Sequence, residues 1–123
     1  MANDKDFVVN GPVVVGKDTK VTVGSISSAQ EGYYLAGAAY DSVSLNINSQ
    51  DTSPKSVFFK PDGTKMFIVG GADTDVNEYN LSTDWNVSTA TFSQNTSVSS
   101  QETNPEGVFF KPDGTKMYIT GGS

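Results

Sequence analysis

The sequence predicts an all-β protein in which an extended N-terminal β segment is followed by an incomplete β-propeller. Composition predicts the β class, because 14 Val stand against 3 Leu and because Ser, Thr, Asn and Gly together supply 48 of the 123 residues. An internal repeat of 51 residues, with four predicted strands in each unit, is the pattern of propeller blades.

Charge and missing residue types exclude several classes of function. The chain carries 14 acidic residues, 8 Lys and no Arg, for a formal net charge of −6, so we expect no nucleic-acid partner and no membrane partner. It has no Cys and no His, which removes thiol nucleophiles, imidazole triads and zinc sites with sulfur or nitrogen ligands. No apolar run is long enough for a secretory or membrane-spanning segment. We therefore expect synthesis in a cytoplasm, no cofactor and no enzymatic activity.

The repeat is exact over ten residues. Residues 57–66, VFFKPDGTKM, recur unchanged as residues 108–117. In the same register, residues 39–72 match residues 90–123 at 19 of 34 positions. Each residue of the first unit therefore corresponds to the residue 51 positions later in the second unit.

The repeat predicts an antiparallel four-stranded sheet in chain order. Pro61 presets φ and Gly63 accepts a positive φ in the turn between the first two strands, so these form a hairpin with Phe58 and Phe67 as cross-strand neighbours. The third strand alternates apolar and polar residues, and the fourth is rich in β-branched and aromatic residues. The predicted strands are residues 56–60, 65–69, 76–81 and 87–92.

The two ends of the repeat region predict partial blades. Residues 40–50 align with the fourth strand of a blade, and residues 108–123 align with a first hairpin. We therefore expect one complete and two partial blades in a domain of residues 39–123 that continues beyond residue 123. A strand at 40–50 would then complete the last blade of the ring. The alternative is that the blades are completed between subunits.

One family resemblance is carried by residues 105–119, PEGVFFKPDGTKMYI. They resemble the Pro-x-Gly-Val-x-Phe-x-Pro-Asp-Gly-x-x-Val-Tyr-Val repeat of the YVTN and SMP-type β-propellers. The resemblance covers residues 39–123 and implies the fold alone. The first unit departs from the family pattern at Ser56, where the pattern has Gly, so the backbone there must tolerate a Cβ atom.

Residues 1–38 lie outside the repeat and predict short strands joined by tight turns. They lack the alternation that would bury one face, so we expect them to pair with copies of themselves or with a docking surface. Residues 25–39 are either a linker or an added strand. The segment is interpreted as an attachment element, and its predicted attachment residues are Phe7, Val8, Val13, Val15, Val21 and Val23.

A second resemblance concerns the same segment. Residues 6–15 resemble the opening DFVVKNGLVVG of tail-fibre and related structural proteins of marine tailed phages, but lack the Lys before Asn-Gly and have Pro12 in place of Leu. Residues 76–90 are similar to propeller repeats of the same class of virion proteins. The resemblance implies a virion location, a homotrimer, partners among other tail proteins, and a glycan or protein on the host surface as the target.

Acidic residues with close spacing are candidates for chemistry. Asp73, Asp75, Asn77 and Asp84 have the spacing of a calcium loop, but Glu78 stands where such loops need Gly, which favours a plain turn. No metal site is therefore predicted. No pair of acids is singled out for acid and base catalysis, so no catalytic residue is predicted either.

Other side chains have both a structural and a binding interpretation. Asp62 and Asp113 are predicted to cap the backbone of their own turns. Tyr79 and Trp85 could stack on a sugar, but we expect core packing, with Trp85 at the start of an outer strand against a neighbouring blade.

Three functions are compatible with a protein that carries propeller repeats. The favoured one is a structural protein of a phage virion, a tail-fibre or host-attachment protein that is anchored by residues 1–38 and displays the propeller. The alternative is a bacterial carbohydrate- or protein-binding propeller module. A lactonase-type propeller enzyme is the third, and it predicts metal-ligating Asp, Glu and Asn at the blade centres, which the sequence lacks.

Overall fold

A computed structural model describes residues 35–122 of the chain. The chain divides into two compact units, Met1–Asp41 and Ser42–Ser123. In the described part of Met1–Asp41, Leu35–Gly37 form one 3-10 turn. The predicted attachment residues lie outside the described residues, so the attachment segment stays a prediction. They are Phe7, Val8, Val13, Val15, Val21 and Val23.

The part of the chain from Ser42 to Ser123, which contains both repeat units, is all-β and antiparallel. Its strands are β1 (Pro54–Phe59), β2 (Lys65–Gly70), β3 (Asp75–Leu81), β4 (Ala90–Ser97), β5 (Pro105–Phe110) and β6 (Met117–Gly121). The first four form one sheet in the order β1-β2-β3-β4, and the last two form a separate hairpin. Phe58 pairs with Phe67 across the first hairpin. The predicted four-stranded sheet, its strand order and this cross-strand pair are confirmed.

The two hairpins are the same structure built twice. Strand β5 begins and ends 51 residues after β1, and each has a bulge at its second residue. In the first turn the backbone N–H of Lys60 donates to the Lys65 carbonyl at 3.0 Å. In the second turn the backbone N–H of Lys111 donates to the Lys116 carbonyl at 2.9 Å. Gly63 and Gly114 have φ values of 76° and 74°, which glycine adopts without steric cost. The repeat is therefore a structural unit, and the predicted hairpin within residues 108–123 is confirmed.

The fourth strand begins later than predicted. Residues 87–92 were expected to be strand, but Val87–Thr89 form a 3-10 turn and β4 starts at Ala90. The cause is local capping, because the Asn86 side chain accepts a hydrogen bond from the Ser88 N–H at 3.0 Å. The strand then runs on to Ser97, which pairs with Asp75.

The strand predicted at residues 40–50 has no partner among the described strands, so its pairing with a last blade stays a prediction. Residues 43–47 have no regular secondary structure, and Val43, Leu45 and Ile47 are half-buried while the residues between them are exposed. The segment ends in a turn in which the Asp51 N–H donates to the Ile47 carbonyl at 2.9 Å. Side-chain packing, without a hydrogen-bond ladder, holds it on the sheet.

Each face of the four-stranded sheet packs against a different part of the chain. The face toward β5 and β6 is called the junction face, and the face toward residues 43–47 is called the groove face. The junction cluster comprises Val69, Val76, Val98 and Val108, with Phe58, Phe67, Phe110 and Ile119 half-buried around them. The groove-face cluster comprises Met66, Ile68, Tyr79, Leu81 and Ala90, with Leu45, Ile47, Phe59 and Val87 half-buried around them.

The backbone at the start of the first repeat unit accommodates Ser where the second unit has Gly. Ser56 pairs with Val69, and its equivalent Gly107 pairs with Thr120, each directly after the bulge. Ser56 is not among the residues with positive φ. The expected tolerance of a Cβ atom at Ser56 is confirmed.

Candidate functional site

Two equivalent turns line a groove between the two repeat units. The turns are Lys60–Gly63 and Lys111–Gly114, and the groove between them has a volume of about 430 Å³. Aromatic rings of Phe58, Phe67 and Phe110 form its apolar floor. We call it the turn groove; it combines an aromatic floor with a charged rim.

The acids on the rim of the turn groove cap their own turns. Asp62 Oδ1 accepts from the Thr64 N–H at 3.0 Å, and its Oδ2 lies 2.7 Å from Lys60 Nζ. Asp113 makes the same two contacts. Its Oδ1 accepts from the Thr115 N–H at 3.0 Å, and its Oδ2 lies 2.6 Å from Lys111 Nζ. The predicted structural role of both acids is confirmed.

The same contacts set the acidity of these carboxyl groups. Hydrogen bonds from Lys60 and then from Thr64 hold the pKa of Asp62 far below its usual range. The pKa of Asp113 is lowered in the same way, first by Lys111 and then by Thr115. Both carboxylates are therefore ionised and engaged at neutral pH.

Acidification is expected to release the Asp62 cap only well below the usual range of aspartate. Because the folded-state pKa is depressed, the stabilisation is complete at neutral pH and is lost as the pH falls through that lowered pKa. In an NMR titration, the Thr64 amide shift should stay constant through about pH 3.9, the midpoint of an unperturbed aspartate.

The variant Lys60→Met should move the Asp62 midpoint up toward its ordinary value, because it removes the largest cause of the shift. Asp113 in the same molecule is the matched control and should keep its lowered midpoint. An ordinary midpoint for Asp62 in the unchanged protein would contradict this account of the turn.

The third lysine of the turn groove is also paired. Lys65 Nζ lies 2.9 Å from Glu78 Oε2 and donates to Asn80 Oδ1 at 2.6 Å. Burial raises the pKa of Glu78, but hydrogen bonds from Lys65 and Gln94 outweigh it and the net shift is downward. Each lysine of the groove thus has an acidic partner, so the groove suits an uncharged ligand better than an anion.

A second groove lies on the groove face and is lined mostly by apolar side chains. Its volume is about 460 Å³, and Leu45, Ile47, Val57, Phe59 and Ile68 line it. Val57, in the edge strand β1, is 51% exposed there. We call it the apolar groove.

Trp85 borders this side of the sheet, and its predicted position is wrong. It precedes the capped turn instead of starting a strand, has a φ of 65°, and is 57% exposed. Its ring packs at a tilt on Phe59 with centroids 5.4 Å apart, and its backbone N–H donates to the Gly63 carbonyl at 3.0 Å. Trp85 therefore packs on the hairpin of its own unit and not on a neighbouring one.

Tyr79 is part of the core, as expected. It is buried, its ring meets Phe92 edge-on with centroids 5.8 Å apart, and its hydroxyl lies 3.5 Å from Gln50 Oε1. Burial, followed by the charges of Asp51 and Asp73, raises its pKa. Tyr79 cannot serve as a platform for a sugar ring.

The residues considered as a calcium loop are not gathered at one point. Asp75 and Asn77 lie in β3, whereas Asp84 follows the far end of that seven-residue strand. Seven strand residues span roughly 23 Å, so Asp73 and Asp84 cannot share one cation. Among residues 35–122, no group of three or more acidic side chains is arranged to hold a metal ion.

Two polar side chains are buried away from both grooves. Asp51 accepts from the Ser53 N–H at 2.6 Å, and its equivalent Glu102 accepts from the Asn104 N–H at 2.9 Å. This acid therefore caps a turn in both units. Asn77 is fully buried, and neither its amide nitrogen nor its oxygen has a hydrogen-bond partner among the described residues.

Comparison with known proteins adds no family to this description. A scan against protein-family models gives no match, and searches of the curated proteins and of the solved structures give none either. Over the residues that the structure describes, no helix has the length and apolar character needed to cross a membrane.

Proposed function

We propose that this chain is a structural protein of a phage virion, a tail-fibre or host-attachment protein that is anchored by residues 1–38 and displays a β-propeller. Its partners are other tail proteins and copies of itself in a homotrimer, and its target is a glycan or protein on the host surface. The proposal assigns no catalytic role to the chain.

The observation that carries the proposal is the packing of two equivalent repeat units face to face. The junction face of the first unit meets the second unit through a continuous apolar cluster with Val69 and Val108 at its centre. Blades of a propeller pack on one another in this way. A stack of packed repeat units suits a protein that presents a binding surface.

The turn groove supports the host-attachment part of the proposal. It combines an aromatic floor with a rim of lysines and carboxylates that are already neutralised by each other. Apolar C–H faces of a sugar pack well on aromatic rings, and its hydroxyls bond to such rim groups. The same feature favours the second candidate, a bacterial carbohydrate- or protein-binding module.

The location of the protein distinguishes these two functions. Mass spectrometry of phage particles purified from the source culture should detect the protein at a constant ratio to the other tail proteins. Recovery of the protein only from the bacterial cell surface, with none in the particles, would favour the binding module and contradict the virion proposal.

The anchor can be tested separately. Deletion of residues 1–24 should leave a soluble repeat region that no longer enters particles, while a chain with Thr103→Glu, an exposed change in the repeat region, should enter normally. Normal copy number of the deleted chain in particles would contradict the anchoring role.

A further inference from the structure

We propose that this chain associates head to tail with a second copy of itself, the outer face of the β5–β6 hairpin of one copy packing into the apolar groove of the next. The inference rests on the packing of the two repeat units within one chain, and not on the virion proposal. It also differs from association through residues 1–38, because it uses the repeat region alone.

The contact inside one chain shows how two units fit together. Phe110 of the second unit lies against Phe58 and Phe67 of the first, with ring centroids 5.4 Å and 4.4 Å apart. Val108 is buried in the same cluster and Ile119 is half-buried beside it. The second unit thus contributes Val108, Phe110 and Ile119, and the first contributes two aromatic rings.

In this contact Val108, Phe110 and Ile119 form the receiving surface, on which the two aromatic rings pack. The first repeat unit carries the same three residue types on its own outer side. Val57, Phe59 and Ile68 are the equivalents of Val108, Phe110 and Ile119, with no change of residue type. All three line the apolar groove. Val57 is 51% exposed whereas Val108 is 8% exposed, so within residues 35–122 no aromatic pair covers this surface of the first repeat unit.

The second unit carries the inserting aromatic pair. Phe109 and Tyr118 are the equivalents of Phe58 and Phe67 and are cross-strand partners in β5 and β6. They are 55% and 51% exposed. An exposed pair of large aromatic side chains on one sheet face marks an interaction surface.

These two surfaces are complementary because the chain already contains their contact once. Phe109 and Tyr118 of one copy would meet Phe59 of the next as Phe58 and Phe67 meet Phe110. Ile47 borders the apolar groove in the position that its equivalent Val98 takes in the internal cluster.

The contact is heterologous, since different surfaces of the two copies meet. Two variants test the two surfaces of this contact separately. Val57→Glu places a charge in the apolar groove, and the double variant Phe109→Glu with Tyr118→Glu places charges on the inserting face. All three positions are about half exposed, and the Phe109 ring also lies 5.4 Å from Phe58 of its own chain. Circular dichroism and urea unfolding therefore check that both variants keep the fold and the contact between the two repeat units.

Association of the 123-residue chain is followed by sedimentation velocity and by emission of its single tryptophan. Trp85 packs on Phe59 at the edge of the receiving surface, so docking should shift its emission to shorter wavelength as concentration rises. Each variant alone should lose this shift and the larger species that forms together with it. Their equimolar mixture should regain both, but only as a complex of two partners, because each partner keeps one intact face.

The control variant Thr103→Glu should associate like the unchanged chain. Association through residues 1–38 would persist in every variant and would leave Trp85 emission unchanged. The proposal is overturned if the unchanged chain shows no concentration-dependent shift, as expected if these faces are covered only by further repeats of a longer chain. It is also overturned if Val57→Glu alone keeps the concentration-dependent emission shift, or if the mixture fails to regain it.

Discussion

Replacing Phe58 by Ala is expected to lower the free energy of unfolding by about 3 kcal/mol, in the range of large-to-small changes at packed aromatic positions. The Phe58 ring lies within 6.5 Å of Phe67 and 5.4 Å of Phe109 and Phe110. Its removal therefore leaves a cavity at the junction between the two units. Urea unfolding followed by circular dichroism measures the loss.

The matched control for this prediction is Phe109→Ala, the same substitution at the equivalent position of the second unit. Phe109 is 55% exposed, and of the three aromatic contacts of Phe58 it shares only the one between the two rings themselves, so we expect a smaller loss of about 1 kcal/mol. Both variants are measured at concentrations too low for association. Equal losses at the two positions would mean that the units do not pack through the junction face.

Replacing Gly63 by Ala is expected to cost about 3 kcal/mol, whereas Gly114→Ala should cost about 1 kcal/mol. Both glycines have nearly the same positive φ, so both variants bear the same backbone strain. Only at Gly63 would the new Cβ overlap a side chain, the ring of Trp85; at Gly114 it meets nothing within 4 Å. The difference between the variants therefore isolates the packing of Trp85 on the turn.

Thermal and urea unfolding give the two stabilities, and tryptophan emission reports the ring directly. Gly63→Ala should shift Trp85 emission because the ring has to leave Phe59, and Gly114→Ala should not. A similar cost for both variants, with unchanged emission, would show that Trp85 does not lie over the first turn.

The parts of the fold that sequence predicts well are those fixed by neighbouring residues. Pro61 and Gly63 determine the turn, the turn determines the register, and the register brings Phe58 opposite Phe67. The capping roles of Asp62 and Asp113 follow from the same local geometry. The exact repeat then transfers each of these features to the second unit.

Other features depend on competition between a local hydrogen bond and strand formation, or on contacts between residues far apart in the sequence. The composition of residues 87–92 suits a strand, but the Asn86 side chain captures the Ser88 N–H and delays the strand to Ala90. A positive φ at Trp85 is rare for an aromatic residue and has no local signal in the sequence. The two grooves arise where segments far apart in the chain meet, so no motif marks them.

The function is less accessible from sequence than the fold. The predicted attachment residues lie outside residues 35–122 and their role stays a prediction. The apolar groove went unrecognised, although the identity of Val57 with Val108 and of Phe59 with Phe110 was a usable signal. Equivalent residues with unequal exposure indicate where a repeat protein still has a surface to cover.

The most direct test of the central claim, that equivalent repeat units stack face to face, is a set of NMR nuclear Overhauser contacts from the Phe110 ring. With isotope labels arranged to detect contacts within one chain, the account predicts strong contacts to the rings of Phe67 and Phe58, whose centroids lie 4.4 Å and 5.4 Å away. Contacts from Phe110 to Val57 or Met66, or an absence of contacts between the hairpin and the sheet, would contradict it.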